Sequence, residues 1–148
     1  MNLAAQSQYF SELECSLSAD LACMSHYCQQ WRMKPSATKT VASCFHLHNA
    51  SASRELSVWL DGQRIKYGHQ PTFLGVTFDR TLSFKPHLTK TAARLKNRNN
   101  LLTKLPGSSW GADADTLRTS ALALCYSVGE YCAPVWCRSA HTGLVAHS

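Results

Sequence analysis

The chain has 148 residues, which suits one domain or part of a larger one, and 45% of them are apolar, enough to supply a core. Charged residues make up only 16%, against about a quarter in ordinary domains, a deficit that points to surface meant to be covered by further chain. The net charge is +6, no leader-like basic and apolar start is present, and no run reaches the roughly 18 apolar residues of a bilayer span, so the expectation is an intracellular protein of nucleus or cytoplasm, neither secreted nor membrane-embedded.

In chain order, Ser11 and Glu14 stand at the spacing of a capping box. Leu13, Leu17, Leu21, Met24, Cys28 and Trp31 then recur at steps of three and four, one face of a long helix. Lys34-Pro35 ends it, because proline disfavours helix in the residue before it. Val41 to Leu47 reads as a strand. Leu56 to Leu60, Asp61-Gly62 and Gln63 to Tyr67 read as a hairpin, since Asp-Gly suits the two positive-φ positions of a type I′ turn. Thr72 to Phe78 reads as a further strand in which Gly75 allows close backbone approach.

A second helix is expected from Ser83, with Phe84, Leu88, Ala92, Leu95, Leu102 and Leu105 on its core arc and Pro106-Gly107 stopping it. Residues 80–104 carry Arg80, Lys85, Lys90, Arg94, Lys96, Arg98 and Lys104 and no acid, whereas residues 1–30 carry Glu12, Glu14 and Asp20 and no Lys or Arg. A one-signed block attracts polyanions, although a solvated basic face is the commonest fate of such a run. Asp113 or Asp115 caps a third helix, with Leu117, Ala121, Leu124, Val128 and Tyr131 as its core face and Pro134 as its end. The architecture these elements predict is α+β: a long helix packed on a small antiparallel sheet, followed by a helical region, with apolar surface left exposed.

Seven cysteines and seven histidines invite a search for metal sites. Cys23, His26 and Cys28, then Cys44, His46 and His48, then Cys132, Cys137 and His141 lie close in sequence, but none forms the paired doublets of structural zinc. Buried thiols and solvent-facing imidazoles describe them better. No nucleophile elbow and no phosphate-cradling glycine loop is present.

Several segments together carry a resemblance. They are Tyr27-Cys28-Gln29-Gln30-Trp31, Lys34-Pro35 through Lys39-Thr40, Phe45-His46-Leu47-His48, Phe73-Leu74-Gly75-Val76, Leu95 through Leu101, and Glu130-Tyr131-Cys132-Ala133-Pro134-Val135-Trp136. Their order resembles the C-terminal palm and thumb portion of the reverse transcriptase of non-LTR retrotransposons of the jockey/LINE type, from about Asn2 to about Leu144. The resemblance implies that residues 1–40 are the end of the palm with its lysine motif, 41–80 the closing strands with a primer-grip-like strand, and 81–148 a truncated thumb. It also implies that the Tyr-x-Asp-Asp hairpin and the fingers lie before Met1. Such enzymes hold two Mg2+ ions on carboxylates, and no two aspartates are adjacent in this sequence.

What the resemblance implies for single residues follows from those segments. Lys39 matches a lysine on the triphosphate side of an intact enzyme, against the alternative of an ordinary solvent-exposed lysine at a strand start. Phe73, Leu74 and Gly75 match the primer grip, against the alternative of a plain core strand. Lys85, Lys90, Arg94, Lys96, Arg98 and Lys104 match a thumb helix that follows the backbone of an RNA–DNA or DNA duplex without reading bases. The expected protein is a polymerase fragment that is inactive alone, needs no cofactor of its own, and binds nucleic acid at most non-specifically. Its other expected partners are the missing palm and fingers. A domesticated protein-interaction module and a non-functional remnant are the rival readings. The C-terminus, Val145-Ala146-His147-Ser148, stops where the family continues.

Overall fold

The computed structural model describes residues 2–106 and 111–146, a mixture of helix and strand that divides into two units, Met1–Pro71 and Thr72–Ser148. Met1, Gly107 with its expected helix stop, and the terminal His147 and Ser148 lie outside the described residues.

The first unit is organised by helix α1, Phe10–Gln30. The predicted stripe points inward: Leu13, Leu21 and Cys28 are buried, and Leu17 and Met24 are half-buried. The capping box does not form. Tyr9 is the extended residue before the helix, and Ser7 takes the local role, its Oγ accepting the Tyr9 N–H at 3.1 Å and donating to the Glu12 carboxylate at 2.8 Å. Glu14 is used elsewhere, accepting the Ser57 N–H at 2.9 Å. The helix closes at Trp31, and Arg32 takes a left-handed φ of 54° with Met33 N–H returning to the Cys28 carbonyl at 2.9 Å. Trp31 therefore falls off the stripe and is 64% exposed, which corrects its expected place in the core.

Opposite α1 stand Leu56, Val58 and Leu60, alternate residues of an extended run that share one face, and Ile65. All four are essentially sealed. Strands β2 (Trp59–Leu60) and β3 (Gln63–Arg64) pair antiparallel around Asp61 (φ 48°) and Gly62 (φ 75°), the predicted type I′ turn. Buried Ser25 of α1 donates to Asp61 Oδ1 at 2.7 Å, so the turn is also tied to the helix.

The expected strand from Val41 to Leu47 keeps its ladder only at β1, Val41–Ala42, which pairs in parallel with β4, Lys66–Tyr67. The ladder ends with Gly68 N–H on the Ala42 carbonyl (2.9 Å) and Ser43 Oγ on the Gly68 carbonyl (2.7 Å), and the chain then leaves for a 3₁₀ turn at Asn49–Ser51. Among the described residues the single antiparallel sheet is thus replaced by separate two-stranded pairings, one of them parallel.

The second unit opens with another correction. The expected strand Thr72 to Phe78 is a hairpin: β5 (Thr72–Phe73) and β6 (Val76–Thr77) pair antiparallel, and the chain reverses at Leu74 (φ 48°) and Gly75 (φ 80°). Helix α2 runs over Lys85–Leu102, two residues later than expected. Leu88 is fully buried and Leu95 nearly so, with Phe84, Ala92 and Leu102 half-buried on the same arc. His87 and Thr91 are buried beside them, while Leu105 lies past the helix and is exposed.

Asp113 caps α3, Ala114–Ala121, accepting the Thr116 N–H at 2.8 Å. The helix continues through a π turn, Leu122–Tyr126, into α4, Ser127–Glu130. It breaks at Cys132 (φ 54°), before Pro134, which lies in the first turn of α5 (Ala133–Trp136), where a missing N–H costs nothing. Leu117, Ala121 and Val128 are half-buried as expected, but Leu124 and Tyr131 are exposed. A last turn, α6, spans Gly143–Ala146, and α2 packs against α3, α4 and α6.

Candidate nucleic-acid interface

The basic residues of the second unit are arranged by the period of α2. Residues four apart lie on one face, so Lys90, Arg94 and Arg98 form a row beside the buried arc. Lys85 and Lys96, about three turns apart, share the opposite flank. Lys104 lies beyond the end of the helix, in the turn where its N–H meets the Leu101 carbonyl at 3.1 Å. Lys85, Lys90, Arg94, Lys96 and Lys104 are exposed and Arg98 is half-buried.

The start of α2 is fixed by one carboxylate. Asp79 accepts from Thr81 Oγ1 (2.7 Å), Ser83 N (3.1 Å), Ser83 Oγ (2.9 Å) and Phe84 N (2.7 Å). Burial alone would raise its pKa, but these hydrogen bonds from Thr81, Ser83 and Phe84 outweigh it and hold the carboxyl below the ordinary range. Asp79 thereby ties the segment before α2 into one knot that includes the N–H of the cap residue Phe84, with Pro86 in the first turn. Ser139 Oγ closes on the Ser83 carbonyl at 2.6 Å from the other side.

Hairpin and helix meet at Thr77. Its N–H reaches His87 Nδ1 at 3.4 Å, and its Oγ1 lies 3.3 Å from Lys90 Nζ and 3.3 Å from Thr72 Oγ1. His87 is held below its usual pKa, first by burial and then by the positive charges of Arg94 and Lys90, so the acceptor nitrogen is the neutral form's. Lys90 therefore sits beside the hairpin. At the other end of the row, the Arg98 guanidinium donates to the Leu124 carbonyl of the π turn, where the helical ladder is out of register and carbonyls need other partners.

The hairpin tip is exposed: Phe73 at 45%, Leu74 at 71%. Sequence reasoning missed what holds it. Tyr131, more than fifty residues on, donates its hydroxyl to the Leu74 carbonyl at 2.6 Å, and a Cβ added at Gly75 would come within 3.0 Å of its ring. The Trp136 indole N–H in turn reaches the Tyr131 carbonyl at 3.1 Å. Two of the segments that carry the resemblance, around Phe73 and around Tyr131, are thus in direct contact; their joint presence in the sequence was the only signal available.

Lys39 belongs to the first unit. It is exposed in a tight turn, with its N–H on the Ser36 carbonyl (3.2 Å), and it lines a mainly apolar cleft of about 580 Å³ with Leu21, Met24 and Val58. No carboxylate lines that cleft among the described residues, and no group of three or more His, Cys, Asp or Glu among them could hold a metal ion. The described residues do not fit the Mg2+ ions of a polymerase.

Comparison with known proteins gives a relative among transposon proteins. Over 116 residues, 78% of the chain, it is 29% identical to a probable RNA-directed DNA polymerase from transposon BS of Drosophila melanogaster. That stretch is 12% of the fly protein, so the chain spans a small part of its relative's length. No family model matches the chain. No solved structure matches it. The chain is therefore similar to part of a transposon polymerase.

Proposed function

We infer that this chain is a fragment of a jockey/LINE-type retrotransposon reverse transcriptase, comprising the end of the palm (1–40), closing strands (41–80) and a thumb-like helical region (81–148). Its own activity is sequence-neutral attachment to the backbone of an RNA–DNA or DNA duplex. The observation that carries this reading is helix α2: five cations on two flanks, no acid along its length, and Lys90 bonded to Thr77 at the base of a hairpin whose tip is exposed. Cations placed this way exchange condensed counterions for phosphates, which gives affinity without base preference.

Polymerisation on this reading requires carboxylates and bound Mg2+ supplied by polypeptide outside this chain. Nucleus or cytoplasm is the corresponding location. The test is titration of the purified chain with a mixed-sequence RNA–DNA hybrid at rising salt. Binding that weakens steeply with salt is expected; no association at about 50 mM salt overturns the reading.

A second reading, a protein-interaction module, is favoured by the apolar side chains exposed after α3, among them Leu122, Tyr126 and Val135. Charge reversal along α2 separates the two, because a partner held on an apolar face survives it.

A further inference from the structure

We propose that Tyr131 is the positioning residue for the Leu74-Gly75 turn, holding Phe73 and Leu74 in the geometry that meets a nucleic-acid backbone. This rests on the reading of the second unit as a nucleic-acid-contacting one.

The turn cannot be credited to its own residues. A two-residue type I′ reversal needs positive φ at both central positions, and Asn, Asp or Gly supplies it at the first. Here the first position is Leu74, at φ 48°. A leucine in the left-handed region is disfavoured, because its Cβ crowds the following carbonyl oxygen. Something outside the hairpin must hold that conformation.

Tyr131 supplies the hold at two points. Its hydroxyl donates to the carbonyl of Leu74, the misplaced residue itself. Its ring lies over Gly75 so closely that even a methyl group there would meet it at 3.0 Å. The phenol is in turn anchored: its carbonyl accepts from buried Trp136, and left-handed Cys132 turns the chain directly after it. Glycine at position 75 thus serves both the φ of 80° and the ring that rests on it. The side chains displayed by the turn, Phe73 and Leu74, are the exposed ones. Tyr131 touches the backbone behind them and acts through their placement.

The experiment compares the full chain with Tyr131→Phe, Leu74→Asn and the double variant. Each is titrated with a mixed-sequence RNA–DNA hybrid between about 50 and 200 mM salt and melted without ligand. Tyr131→Phe removes one hydroxyl and is expected to weaken binding about three- to tenfold, the worth of one hydrogen bond. The salt slope stays unchanged, because no phosphate contact is lost. Amide exchange at Gly75 and Val76 accelerates by a similar factor, while Leu88 and Leu95 stay protected.

Asn-Gly builds the same turn unaided, so in the Leu74→Asn background the effect of Tyr131→Phe shrinks to under about twofold. Wild-type affinity in Tyr131→Phe, an equal loss in both backgrounds, or a loss that only tracks a lower melting temperature overturns the proposal. A wild-type chain that fails to bind the hybrid at low salt overturns the underlying reading as well, and is recognised separately because it precedes any variant.

Discussion

The chain contains two hairpins with the same two-residue reversal, Asp61-Gly62 in one unit and Leu74-Gly75 in the other, and they are maintained by different means. Asp61 accepts the left-handed region readily, and a Cβ at Gly62 would meet nothing within 4 Å among the described residues. Leu74 pays about 1–2 kcal/mol for the same φ and is held by a phenol from far along the chain. The surroundings differ in the same sense. The first unit is near neutral, with six Lys and Arg against five acids, and its hairpin closes a sealed core of Leu56, Val58, Leu60 and Ile65. The second has nine against four, and its hairpin tip stays open to solvent while Lys90 bonds Thr77 at the hairpin's base. Local turn chemistry builds the scaffold, and strain maintained by tertiary contact lies where we place the binding surface.

The largest effects should come from the two cores. Leu60→Ala and Leu88→Ala each remove a fully buried side chain and should cost about 2–5 kcal/mol in urea unfolding. Loss of structure confined to the unit that carries the change would sharpen the contrast; a single shared transition would break it.

Next is charge. The pair Lys90→Glu and Arg94→Glu should weaken hybrid binding on the order of a hundredfold and flatten its salt slope, whereas Arg64→Glu with Lys66→Glu should leave both near wild type. Equal losses in the two pairs would mean that attraction follows net charge alone.

The turns themselves should respond in opposite directions. Asp61→Ala strands the buried Ser25 hydroxyl and puts alanine in the left-handed region, a loss of about 1–2 kcal/mol. Leu74→Asn should instead gain up to about 1 kcal/mol by relieving strain. Denaturant midpoints of the two variants measure this directly, and a destabilised Leu74→Asn would show that the leucine is there for packing.

The smallest effect concerns acidity. His87 has a folded pKa below its unfolded value of about 6.5, so the unfolded chain takes up the proton first as pH falls. The stability owed to neutral His87 is complete above that value and is lost as pH drops from it through the folded pKa. Asp79 contributes stability that is complete above the unfolded carboxylate value and is lost, further into acid, as pH falls through its lowered folded one. Melting at pH 7.5 and 5.5 should show a decrease that His87→Asn abolishes.

Much of the frame was legible in the sequence because local residues carry it. The α1 stripe, the Asp61-Gly62 turn and the Asp113 cap each depend on neighbours within a few positions. What escaped depends on partners far away. Nothing near Leu74 announces a reversal, since the hydroxyl that holds it belongs to Tyr131. Nothing near His87 announces that Thr77 will bond to it. The cations of α2 could be counted from the sequence, but not that Arg98 is engaged by the Leu124 carbonyl while Lys90 turns toward Thr77.

The Asp79 knot has a mechanical consequence. Four hydrogen bonds on one carboxylate leave the segment from Thr81 to Phe84 little freedom to bend, so tip and basic rod must swing as one lever. A glycine spacer inserted after Arg80 would loosen this tie alone, because the bonds of Thr77 to His87 and Lys90 join hairpin and helix directly.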